Sequence, residues 1–290
     1  MRINVLAMVG LLRGLFVVLL LGFATAALAG DKGLLWKLQS PQGSTSYLFG
    51  TMHTDDKRVT DIAPVVMQAL RDSEQFLMEL QPPVDPSIFL MKQGRLEEML
   101  TEEELAEVRR RADFHSMPAE IVSRMKPWML AVILDLPRPQ SPYTLDVLLM
   151  SLAHGQSKPI GALETAEEQA TVLDSFGIEE QLVMLRSALR RTQEERERNF
   201  EELVQAYLSG ELDRIVQVNA RQSGDKLPQE LWGRIMEKLL DERNVRMAER
   251  IRERAAERSV FVAVGAAHLP GEGGLLARLR AAGFQVTPVR

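Results

Sequence analysis

Two short sequences of the same form, Gly50-Thr51-Met52-His53 and Gly265-Ala266-Ala267-His268, hold half of the chain's four histidines, and each follows an apolar, β-forming run. Two carboxylates sit comparably: Glu79 lies near the end of a third such run, and Glu164 ends a fourth. Two neutral imidazoles and a carboxylate form a donor set for a divalent first-row metal that leaves a position open for water. An ion held this way lowers the pKa of its water and polarises a carbonyl, which brings hydrolysis within reach of neutral pH. The glycine three residues before each histidine is expected to let the chain turn sharply off its strand at little steric cost.

Each of these residues also has a plainer use. A histidine after a strand often only hydrogen-bonds a loop. Glu79, inside an apolar run, is compatible with a salt-bridged core carboxylate, and Glu164 with an acid facing a helix N-terminus. Arg243 and Asn244 fall on or beside an apolar stripe of Met236, Leu240, Met247 and Ile251, on a helix expected from residue 231 to about 258. On a buried face, the guanidinium would bind a carboxylate or stabilise an oxyanion; at the stripe's edge, both side chains would simply be solvated. Asp146 and His154 read as the acidic and basic ends of a helix over 143–154, and His115 as part of an irregular stretch.

The elements that must position these groups are legible in outline. Runs at 34–39 and 45–49, separated by Ser40-Pro41-Gln42-Gly43-Ser44, predict a β-hairpin. A helix over 62–71 with Pro64 in its first turn, then a strand over 75–80, makes a strand-helix-strand unit and so a parallel pair. Residues 82–138 turn helical, with a Thr101/Glu104 capping box and breaks at Pro118, Pro127 and Pro137. A strand over 158–163 leads into a second capping box, Thr165/Glu168. Residues 178–258 contain no convincing strand, and strands at 259–264 and 285–289 flank a helix at 274–282. The fold expected is α/β: a mixed, mostly parallel sheet flanked by helices, with a large helical insertion or cap between N- and C-terminal strand-helix units. In a parallel sheet the strands' carboxyl ends share one edge, so His53, Glu79, Glu164 and His268 are expected to converge there.

Residues 1–29 carry only Arg2 and Arg13 as charges and end an apolar run with Ala27-Leu28-Ala29, the pattern of a cleaved secretory signal peptide. The mature domain is then 30–290, exported to the periplasm or beyond, with no stable membrane span after cleavage. Cleavage takes the formal net charge from −5 to −7, a poor balance for binding nucleic acid. With no cysteine, neither disulfides nor thiolate metal sites are available. A content of 46% hydrophobic and 26% charged residues reads as globular, not disordered.

Taken together, Tyr47-Leu48-Phe49-Gly50-Thr51-Met52-His53, Glu79, Leu163-Glu164-Thr165, Arg243-Asn244 and Val264-Gly265-Ala266-Ala267-His268-Leu269, with Gly271 and Gly274-Leu275-Leu276, resemble the TraB/GumN family, which is related to the TIKI metalloproteases. The resemblance extends over essentially the whole mature chain. It implies a metal site with His53, Glu79 and His268 as ligands and Mn²⁺ or Co²⁺ as the ion, and Glu164 and Arg243 as supporting acid, base or oxyanion groups. The activity implied is a metal-dependent hydrolase, with a peptide or small molecule as substrate. The alternative is a non-catalytic periplasmic protein that binds metal or haem in the same crevice.

Overall fold

Six strands build one sheet in the order β4-β3-β5-β2-β1-β6, described here from a computed structural model that covers residues 31–289 apart from positions 82, 84, 139 and 225. The expected signal peptide lies outside the described residues. β1 (Leu35–Gln39) and β2 (Thr45–Thr51) pair antiparallel with Leu35 opposite Phe49, as the hairpin reading required. Gly43 takes the left-handed conformation (φ 90°) that the tight connection demands. Pro64 is the first residue of helix Pro64–Asp72, where its missing N–H costs nothing, and the chain returns as β3 (Gln75–Leu80).

One expectation is corrected. β2 and β3 run parallel, yet they are not neighbours, because β5 (Val260–Gly265) lies between them and pairs with both. The reason is compositional: Val260 to Val264 are all fully buried, and a strand apolar on both faces belongs at the centre of a parallel sheet. β4 (Ile160–Glu164) closes one edge beside β3, and β6 (Gln285–Pro288) the other, antiparallel to β1.

The middle of the chain is helical, as expected. Both capping boxes form, at the heads of helices Glu102–Phe114 and Ala166–Asp174. Helix Ile178–Leu189 joins the segments around 91–134 in a second apolar core of Leu96, Val108, Leu130 and Leu185, separate from the sheet's own. The helix expected from 231 to about 258 is interrupted: Gln229–Met236 and Glu242–Glu257 are joined by one π-helical stretch, Glu237–Asp241. Met247, Ile251 and Ala255 of the second segment are buried in the main core with the sheet's central strands. Among the described residues, no helix is long and apolar enough to cross a membrane.

Candidate active site

The carboxyl edge of the parallel strands gathers four of the five expected residues into one polar network. Glu79 of β3 and Glu164 of β4 are bridged by Arg243, whose Nη2 donates to Glu79 Oε1 at 2.6 Å and whose Nε donates to Glu164 Oε2 at 2.7 Å. His268, in the short 3₁₀ turn Ala266–His268 after β5, places Nε2 3.5 Å from Arg243 Nη1 and 3.7 Å from Glu79 Oε1. Arg243, Glu164 and His268 are all buried. Ionised groups survive such burial only when paired and fully hydrogen-bonded, and here they are.

Arg243 lies just after the π-helical stretch, whose Leu239 carbonyl accepts from its Nη1 at 3.2 Å. Asn244 is buried as well. Its Nδ2 donates to the Gly273 carbonyl at 3.0 Å, which fixes the amide so that Oδ1 lies 2.7 Å from His268 Nδ1. With Nδ1–H donating there, the ring is turned so that Nε2 of His268 faces Glu79 and Arg243. Arg243 and Asn244 therefore belong to the buried face, not to a solvated edge.

Burial alone would raise the Glu79 carboxyl, but the neighbouring His268, the Arg243 guanidinium and the Gly265 N–H, which donates to Oε2 at 2.9 Å, together hold it well below the ordinary carboxylate range. Glu164 is enclosed more completely. Its other oxygen accepts from Arg246 Nη2 at 2.9 Å, so both oxygens are engaged by guanidinium groups.

His53 stands apart. It follows β2, beyond β5 from the network, and its exposed ring faces Asp146 Oδ2 through Nδ1 at 3.3 Å. That hydrogen bond outweighs desolvation and raises the His53 pKa. Among the described residues, no three histidine, aspartate or glutamate side chains stand close enough together to enclose an ion; Glu79 approaches His268, while His53 approaches Asp146. The donor chemistry nevertheless suits a metal: each imidazole has its Nδ1 committed to a side-chain oxygen, the arrangement that fixes a metal-ligating histidine.

The glycines of the two motifs work differently from expectation. Neither has a positive φ. Gly50 is tightly packed: a Cβ there would stand 3.1 Å from Ala266 Cβ and 3.2 Å from Leu269 Cδ2, so the turn bearing His268 would have to give by a few tenths of an ångström. Tyr207, buried in helix Gln193–Ser209, donates its hydroxyl to the Gly50 carbonyl at 2.9 Å and ties the helical middle to the same strand end. Asp146 is the residue whose role the sequence understated, since a first-turn acid gives no sign of its tertiary partner. His115 lines a cleft with His53, and His154 sits exposed in the last turn of its helix.

Two clefts open at this edge. One, of about 540 Å³, is lined by His53, Thr54 and His115; the other, of about 490 Å³, has Arg243 and His268 among apolar walls that include Trp128, Trp232 and Leu239. Leu136, Pro137 and Phe200 line both, so the two clefts share a wall.

Known proteins are similar to this chain in sequence. The uncharacterized protein YbaP of Shigella flexneri is 26% identical over 247 residues, covering 83% of this chain and 89% of its own. The Metalloprotease TIKI2 of Danio rerio is 26% identical over 311 aligned residues, 87% of this chain but 60% of the relative, and that of Xenopus tropicalis is 25% identical over 83% and 57%. The chain thus spans little more than half the length of the two TIKI2 proteins. The TraB/PrgY/gumN family profile matches residues 34–288, from β1 to β6, and takes in every residue of the network: the chain belongs to the TraB/PrgY/gumN family.

Proposed function

We propose that this protein is an exported metal-dependent hydrolase that cleaves peptide bonds, with His53, Glu79 and His268 holding a divalent ion, Mn²⁺ or Co²⁺ by family resemblance. The observation that carries the reading is that His53 and His268 each have Nδ1 anchored by a side-chain oxygen, the tie that orients a metal-ligating imidazole, and that His268 Nε2 stands 3.7 Å from Glu79, a carboxylate held ionised. Similarity to the TIKI2 metalloproteases supports the reaction class. A bound ion would supply Lewis acidity and an activated water.

The chain's own residues do the rest. Asn244 orients His268 through Nδ1, and Arg243, tied to Glu79, Glu164 and the Leu239 carbonyl, keeps the Glu79 carboxylate ionised beside that ring. Glu164, expected to take a proton, has both oxygens committed to arginines; its part is to hold Arg243 in place. The apolar walls around Trp128 and Trp232 suit the side chains of an extended peptide.

The test is metal content and peptide cleavage by the purified mature protein, with His53→Ala and His268→Ala alongside. The expected result is Mn²⁺- or Co²⁺-dependent cleavage of a peptide library and loss of bound metal in both variants. Unchanged metal content in both would refute the shared site. Metal or haem bound without cleavage would refute the enzyme and support a binding protein.

A further inference from the structure

Asp146 occupies the first turn of helix Leu145–Gly155, where an acid ordinarily answers only the helix dipole. Its carboxylate instead turns to β2 and the loop beyond. Oδ1 accepts from Thr51 Oγ1 at 2.6 Å, and Oδ2 faces His53 Nδ1 at 3.3 Å. The helix itself is tied to that loop, because the Leu145 N–H donates to the Thr54 carbonyl at 3.1 Å. Thr51 is buried and the Asp146 side chain only 17% exposed, so the acceptor is fixed while the ring it faces is in solvent.

We infer that Asp146, clamped by Thr51, is a positioning residue that holds the His53 imidazole as its Nδ1–H tautomer and so keeps the Nε2 lone pair for the cleft that His53 lines. The contrast with His268 supports the assignment. That ring is enclosed by the fold, and a neutral amide, Asn244, suffices to orient it. An exposed ring has only its one bond to orient it, here the contact of Nδ1 with the Asp146 carboxylate at 3.3 Å. A carboxylate behind an imidazole also strengthens it as a metal donor. The step from orientation to metal binding rests on the proposed function; the orientation itself does not.

The two are separated by two measurements on the full mature chain. Imidazole ¹⁵N NMR of the metal-free protein, with the His53 signals identified by their loss in His53→Ala, reads the tautomer at a pH where the ring is neutral. The wild type is expected to show the Nδ1–H form, and Asp146→Ala to revert to the Nε2–H form that free imidazoles favour. Calorimetric titration with Co²⁺ is expected to show affinity falling about tenfold to a hundredfold in the variant. Should Asp146→Ala fail to fold, Asp146→Ser, which keeps a residue suited to helix N-termini, takes its place. An unchanged His53 tautomer in a folded variant overturns the inference. A tautomer change in a wild-type background that binds no Co²⁺ upholds the positioning role and overturns the metal reading instead.

Discussion

Replacing Glu164 by glutamine removes one charge from the centre of the network and changes almost no volume. Glu164 is 1% exposed and accepts from Arg243 Nε at 2.7 Å and from Arg246 Nη2 and Nε at 2.9 and 3.3 Å. A glutamine offers one carbonyl oxygen, so one guanidinium keeps an acceptor and the other meets an NH₂ group. Removing one partner of a buried ion pair costs about 3–5 kcal/mol. The lower end applies, because Arg246 is one-third exposed and can turn to water, while Arg243 is 4% exposed and keeps Glu79. The expected loss is therefore about 3 kcal/mol, equivalent to a fall of about 6–12 °C in Tm for a domain of this size. Urea unfolding of the metal-free protein, followed by circular dichroism, reads it as a shift in midpoint at unchanged m. A loss under about 1 kcal/mol would refute the view that Glu164 anchors Arg243 in a closed network.

Glu79 gives a pH dependence whose sign is fixed by its partners. Its carboxyl is held below the ordinary value in the folded chain, so its stabilising contribution is fully present above the ordinary carboxylate range near pH ~4 and is lost as pH falls towards the folded value. Glu79→Gln is expected to be less stable at pH 6 and to lose less further stability between pH 5 and 3 than the wild type, measured by urea midpoints; parallel profiles would contradict the assignment. Gly50→Ala is expected to cost about 1–3 kcal/mol by overpacking, because its Cβ would meet Ala266 and Leu269 at 3.1 and 3.2 Å. The same unfolding assay checks it, and a neutral outcome would mean that the turn bearing His268 yields easily.

Local chemistry was legible in the sequence. Both expected capping boxes are three-residue patterns whose partners lie within one turn, and both form. The convergence of Glu79, Glu164 and His268 was legible too, since it follows from parallel strands ending at one edge. Arg243 and Asn244 announced themselves as polar residues on an apolar stripe. What stayed hidden depends on contacts distant in sequence. The insertion of β5 between β2 and β3 is a choice among strand orders that periodicity does not encode. Asp146 reveals its role only through Thr51 and His53, more than ninety residues earlier. Gly50 looked like a hinge because its constraint, the Ala266 methyl, comes from the far end of the chain.

The central place of β5 also sets the order in which this molecule can come into being. Residues 260–265 come long after β2 and β3 in the sequence, yet they supply the strand on which both depend. Until they arrive, the two halves of the parallel sheet have no common edge, and His268 is absent. Such long-range closure is slow, since the loop entropy must be met before the contacts form. A chain still emerging from a ribosome therefore carries no assembled network until residues 260–268 have been made.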